Sequence, residues 1–123
     1  MCIRDRDNPF ASEVGEILSC NDFYDYDAKY ILGTSGLNIP ANIPKEASLE
    51  IRETAVKAFK ALGCFGLSRV DFFLADNGKV YLNELNTMPG FTSISMYPKL
   101  MENLGIPYGE LLDRLIKLAY ERN

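Results

Sequence analysis

The segment "RVDFFLADNGKVYLNELNTMPGF", Arg69 to Phe91, decides how this chain reads. Two runs rich in β-branched and aromatic residues flank Asn77-Gly78. That dipeptide marks a tight hairpin, because both central residues of a type I′ turn take φ > 0. With those two residues as the loop, Asp76 pairs with Lys79 and the ladder follows in step. Asp71 then faces Glu84 and Arg69 faces Asn86, with Phe73 and Leu82 on the same face. Val70, Phe72 and Leu74 alternate onto the other face, against Leu85, Asn83 and Tyr81. A three-residue loop would shift the pairing by one residue and break the match.

Like charges placed directly opposite each other on a sheet are destabilising, so two facing acids call for a compensating cation. Asp71, Glu84 and Asn86 offer the oxygen donors that Mg²⁺ and Mn²⁺ prefer, and two carboxylates carry enough charge to share two ions. Arg69 beside them can bind a phosphate or a developing oxyanion. The same residues also fit a plainer reading, a solvated strand face on which Arg69 salt-bridges the acids. Beyond the strand, "NTMPGFTSIS" (86–95) turns through Pro89-Gly90 among small hydroxyl residues. Such a segment can present backbone N–H groups to an anion, or serve only as a turn before a helix.

Outward from the hairpin (67–86), the pattern predicts an α+β unit. "KEASLEIRETAVKAFKALG" (45–63) carries Ile51, Ala55, Phe59 and Leu62 at helical spacing, and Gly63 fits the C-terminal cap. Its apolar stripe is expected to cover Val70, Phe72 and Leu74. "SEVGEILSC" (12–20) alternates like a strand. Residues 21–44 are polar, aromatic and broken by Gly and Pro, long for a connecting loop, with a short strand possible near 37–39. Tyr24 and Tyr26 read as anchors of that loop. "MYPKLMENLG" (96–105) and "YGELLDRLIKLAYERN" (108–123) read as two further helices.

The 123 residues suit one domain or part of one. At 47% hydrophobic the chain can build a core. A net charge of −4 argues against a nucleic-acid surface, though it leaves room for a metal-assisted phosphate site. The sequence has no histidine, which excludes a His-based triad or His-ligated metal. Three cysteines without C-x-x-C spacing suit a reduced, cytosolic chain. Cys64 reads as a small buried hydrophobe, and Met88, Met96 and Met101 as packing residues. No apolar run approaches a membrane span, and "MCIRDRDN" is no secretory signal.

Arg69-Val70-Asp71-Phe72-Phe73 followed by Asn83-Glu84-Leu85-Asn86-Thr87-Met88-Pro89-Gly90-Phe91-Thr92 resembles the C-terminal signature of D-alanine–D-alanine ligases, members of the ATP-grasp superfamily. "FYDYDAKY" (23–30) is similar to the loop with which that family closes its active site. The resemblance spans about residues 7 to 121. It implies the C-terminal part of an ATP-grasp fold, a mainly antiparallel sheet with packed helices. It also implies ATP-dependent coupling of two D-alanines for peptidoglycan, through an acyl phosphate. Asp71 and Glu84 would hold one Mg²⁺ or Mn²⁺, and Glu84 and Asn86 a second. Arg69 and the Gly90 N–H would stabilise the oxyanion, and Ser95 the carboxylate of the second D-alanine. Lys29 and Tyr30 would cover the phosphates and exclude water.

The family is typically a cytoplasmic homodimer of well over twice this length. The resemblance therefore implies a C-terminal fragment without the N-terminal domain or the glycine-rich loop, inactive in isolation. Residues 1–6 do not fit the pattern and are expected to lie outside the fold, with 7–123 forming the catalytic-domain portion. Two other readings stay open. One is a ligase that joins D-alanine to D-lactate, against which the Lys29-Tyr30 pair argues. The other is a non-catalytic metal-binding interaction domain.

Overall fold

The computed structural model describes residues 2–5, 7–18 and 36–122. Its main sheet has four strands. These are β1 (Cys2–Asp5), β2 (Phe10–Ala11), β5 (Gly66–Leu74) and β6 (Val80–Asn86), in the order β2-β1-β5-β6, with every pairing antiparallel. A separate two-stranded sheet joins β3 (Glu16–Leu18) to β4 (Gly36–Asn38), which bears out the short strand expected near 37–39. Among the described residues there are three helices: α1 (Lys45–Ala61), α2 (Met96–Asn103) and α3 (Tyr108–Tyr120). This is the expected α+β arrangement. One expectation differs. Residues 2–5, read as lying outside the fold, pair with β2 on one side and β5 on the other.

Helix α1 covers one face of the sheet. Ala47, Ile51, Ala55 and Phe59 recur every four residues, so they form one buried stripe. Ile51, Ala55 and Phe59 pack with Val70, Ala11 and Val14, and Phe72, Val80 and Leu85 close the cluster from the hairpin. Fully burying a side chain such as Phe59 contributes about 1.5–3 kcal/mol. Leu62, read as part of this stripe, is instead 68% exposed. The helix has already ended: Gly63 takes φ +62, and the N–H groups of Gly63 and Cys64 return to the carbonyls of Lys60 and Phe59. That is a Schellman cap. Cys64 packs against the α1 cluster, and burial pushes its thiol pKa up.

A second core lies under α2 and α3, where Tyr97, Leu100, Met101, Ile106 and Leu111 are buried and Phe10, Leu67 and Phe91 pack on them. Met96 joins that cluster, but Met88 is 88% exposed and so is not the packing residue expected.

The hairpin turn also departs from expectation. Ala75 donates to the Lys79 carbonyl and Gly78 donates to the Ala75 carbonyl, so the loop is the three residues Asp76, Asn77 and Gly78. Gly78 sits at φ +82 and the Asn77 side chain accepts the Lys79 N–H at 3.0 Å. This is a type I turn with a glycine bulge rather than a type I′ turn. Leu74 therefore pairs with Val80, Phe73 with Tyr81, and Phe72 with Leu82, all one residue out of step with the expected ladder. A second irregularity restores the step: between Leu82 and Glu84 on β6, Asn83 is an extra residue opposite the Asp71-Phe72 step. Tyr81 and Leu82 have consequently exchanged faces. Tyr81 lies with Phe73 on the Arg69–Asp71 face, and Leu82 lies opposite Phe72.

Candidate functional site

Past the Asn83 bulge the pairing is Asp71 with Glu84, Val70 with Leu85, and Arg69 with Asn86. Strand alternation then places Arg69, Asp71, Glu84 and Asn86 on the face turned away from α1. Arg69 resolves the like-charge conflict within the chain. Its Nε donates to Asp71 Oδ1 at 2.9 Å and Oδ2 at 3.2 Å, and its Nη2 donates to Asp71 Oδ2 at 2.9 Å. The same Nη2 lies 3.9 Å from Glu84 Oε1. Side-chain exposure rises from 20% at Arg69 to 31% at Asp71 and 59% at Glu84, so the cluster is rooted in the sheet and open at its outer edge.

Asn86 ends β6 and turns the chain. Its Oδ1 accepts the Met88 N–H at 3.0 Å, an Asx turn that starts the following loop. That loop is anchored from below. Pro89 is buried, and the Phe91 ring lies between Tyr97 and Tyr108, with centroids 5.7 Å and 5.3 Å away. Tyr108 also donates its hydroxyl to the Phe91 carbonyl at 3.0 Å. Ser95 precedes α2, and its Oγ accepts the Thr92 N–H at 2.9 Å and bonds Thr92 Oγ1 at 2.8 Å. Gly90 comes so near that a Cβ there would meet Ser95 Oγ at 3.2 Å.

The structure thus brings together Arg69, Asp71, Glu84 and Asn86, and separately Gly90 with Ser95. Lys29, Tyr30, Tyr24 and Tyr26 lie outside the described residues. Sequence reasoning misplaced Tyr81, which extends the site face toward the turn beside Phe73, with the Lys79 ammonium 5.0 Å from its ring centroid. It also missed Thr92 as the partner of Ser95. The signal for Tyr81 was Val80, an apolar residue that belongs with the core face.

For a divalent ion, the donor chemistry fits. Two carboxylates and one amide oxygen are hard donors at one end of a strand pair. Among the described residues no group of three or more His, Cys, Asp or Glu is placed to hold a metal.

The model of the family described as D-ala D-ala ligase C-terminus matches residues 1–117. The chain belongs to this family. The match includes residues 1–6. Among curated relatives, the D-alanine–D-alanine ligase of Acetivibrio thermocellus is 62% identical over 117 residues, covering 94% of this chain and 31% of that protein. Among solved structures, the D-alanine–D-alanine ligase of Coxiella burnetii aligns with a TM-score of 0.81 at 38% identity, over 98% of this chain and 31% of that one. The VanG D-Ala:D-Ser ligase of Enterococcus faecalis aligns at 0.79 and 44%, over 95% and 34%. The ATP complex of the Bacillus anthracis D-alanine–D-alanine ligase aligns at 0.73 and 25%, over 98% and 37%. The chain spans about a third of the length of the relatives it matches. The ligase-family fold is ATP-grasp, with helices on an antiparallel sheet as expected.

Proposed function

We propose that this chain is the C-terminal part of an ATP-dependent D-alanine–D-alanine ligase, contributing the ion- and oxyanion-binding end of its active site. The observation that carries the reading is the pairing of Asp71 with Glu84 beside Arg69 on one sheet face, continuous with the Asn86–Ser95 loop. ATP as co-substrate is supported by the ATP-bound neighbour.

Asp71, Glu84 and Asn86 would hold two Mg²⁺ or Mn²⁺ ions. Such ions neutralise charge on the transferring phosphate and orient it. Arg69 supplies a planar, permanently charged donor for the oxygen on which charge develops when the amine of the second D-alanine attacks the acyl phosphate. The Gly90 N–H would add a second donor from the loop that carries Phe91. Ser95 would meet the carboxylate of the second D-alanine. Lys29 and Tyr30 would close over the phosphates and keep water from the acyl phosphate.

The D-alanine–D-alanine name of the relative at 62% identity supports D-alanine as second substrate. D-serine is the competing reading, favoured by the neighbour at 44%. The whole enzyme is read as a cytoplasmic homodimer; among the described residues no helix is long and apolar enough to cross a membrane. The test is phosphate release from ATP by a full-length ligase carrying this segment, with D-alanine, D-lactate or D-serine as second substrate. Release and dipeptide formation are expected with D-alanine alone. Preference for another acceptor would reassign the substrate, and no amino-acid-dependent release would remove the ligase reading. The isolated chain of 123 residues is expected to show none.

A further inference from the structure

The three contacts from Arg69 cover both carboxylate oxygens of Asp71. Its Nη2 is also the atom that lies between the two acids, 2.9 Å from Asp71 Oδ2 and 3.9 Å from Glu84 Oε1. The fork follows from strand geometry. Residues i and i+2 project from the same face, so Arg69 and Asp71 stand side by side and the planar guanidinium meets the carboxylate along its edge. A divalent ion of magnesium's size sits about 2.1 Å from each oxygen it binds. Any divalent ion that Asp71 and Glu84 would hold together has to contend with the Nη2 charge already lying against both carboxylates. The Nε–H committed to Asp71 likewise cannot point at an incoming oxyanion.

We propose that Arg69 is the resident counter-ion of this site: it competes with divalent ions for Asp71, and ion binding turns its guanidinium toward the substrate oxyanion. This rests on the ion-site reading above. It adds that the oxyanion donor becomes available only when the ions are in place, which couples anion capture to ion loading. It also explains how two facing acids are tolerated in the strand ladder without an ion.

The test titrates Mn²⁺ into the chain and follows the EPR signal of free ion. Arg69→Ala is expected to bind Mn²⁺ about fivefold more tightly than the unsubstituted protein, with Arg69→Lys between them because its ammonium makes no bidentate fork. A second readout uses the unsubstituted protein, so it does not depend on a variant folding. The Arg69 Nε–H resonance is expected to move and exchange faster with water as Mg²⁺ is added. If Mn²⁺ binds but Arg69→Ala binds it no more tightly, and the Arg69 resonance stays still, the competition is overturned while the ion site stands. If neither protein takes up Mn²⁺, the ion-site reading falls and the competition falls with it.

Discussion

At the turn end of the β5–β6 hairpin, Leu74 pairs with Val80 across a loop of three residues. At the other end Asp71 pairs with Glu84 and Arg69 with Asn86, one residue out of step with the turn. The two ends answer to different constraints. The turn end is set by local backbone chemistry: Gly78 accepts a left-handed φ and Asn77 holds the Lys79 N–H. The far end is set by which side chains must meet. Carried through unbroken, the turn's register would put Asn83 opposite Asp71 and turn Glu84 into the α1 core beside Val70, where an unpaired carboxylate is costly. Asn83 absorbs the difference as a bulge, a device common beside functional sites because it re-aims the side chain that follows. The hairpin is therefore two short ladders joined at Asn83.

The largest effect should come from the support that both ladders share. Phe59 is 1% exposed and packs in the cluster with Val70. Phe59→Ala is expected to cost about 3–5 kcal/mol in denaturant unfolding. A loss well under 1 kcal/mol would mean that α1 does not hold the hairpin in place.

At the ion end, Glu84→Gln in the full-length ligase should lower turnover roughly a hundredfold at limiting Mg²⁺, the scale of losing several kcal/mol of charge stabilisation. Asn86→Ala should cost less, since the amide carries no charge and Glu84 is the residue proposed to serve both ions. Equal, small losses would show that this end of the hairpin does not hold the catalytic ions.

At the turn end, Gly78→Ala should destabilise the chain by about 1 kcal/mol, the cost of a side chain in the left-handed region. Nothing lies within 4 Å of the added Cβ, so the cost is conformational rather than steric. The pairing of Asp71 with Glu84 should be unaffected. The smallest effect should come from deleting Asn83, because the two ladders then join in one register and Asp71 still faces Glu84. Cross-strand NOEs between residues 71 and 84 should survive. Their loss would mean that the bulge itself, and not only the count of residues, positions Glu84.

Much of this could be read from sequence where short-range chemistry decides the outcome. The apolar spacing of Ile51, Ala55 and Phe59 gave α1 its buried stripe, and Gly63 its cap. The acids at 71 and 84 were found opposite each other, though by a route that assumed the wrong turn. Asn77-Gly78 suits either a two-residue or a three-residue loop, and no local signal announces the bulge five residues away that reconciles the longer loop with the pairing of Asp71 and Glu84. That is why Tyr81 and Leu82 were assigned to the wrong faces. Cys2–Asp5 was missed as a strand because its longer partner, β5, lies far along the chain, and β2, though near, is only two residues. Leu62 followed the helical period one step past the end of the helix. Lys29 and Tyr30 were legible only through family resemblance and lie outside the described residues.

Asp71, Glu84 and Asn86 are proposed to form a divalent-ion site at the end of the hairpin away from its turn. Substoichiometric Mn²⁺ added to the ¹⁵N-labelled chain tests it most directly, by the pattern of paramagnetic broadening. Amide signals of residues 69–71 and 84–86 are expected to broaden first, and those of residues 75–79 to persist. Broadening centred on Asp76, on acids elsewhere such as Glu13 or Glu16, or spread evenly over the surface would contradict it.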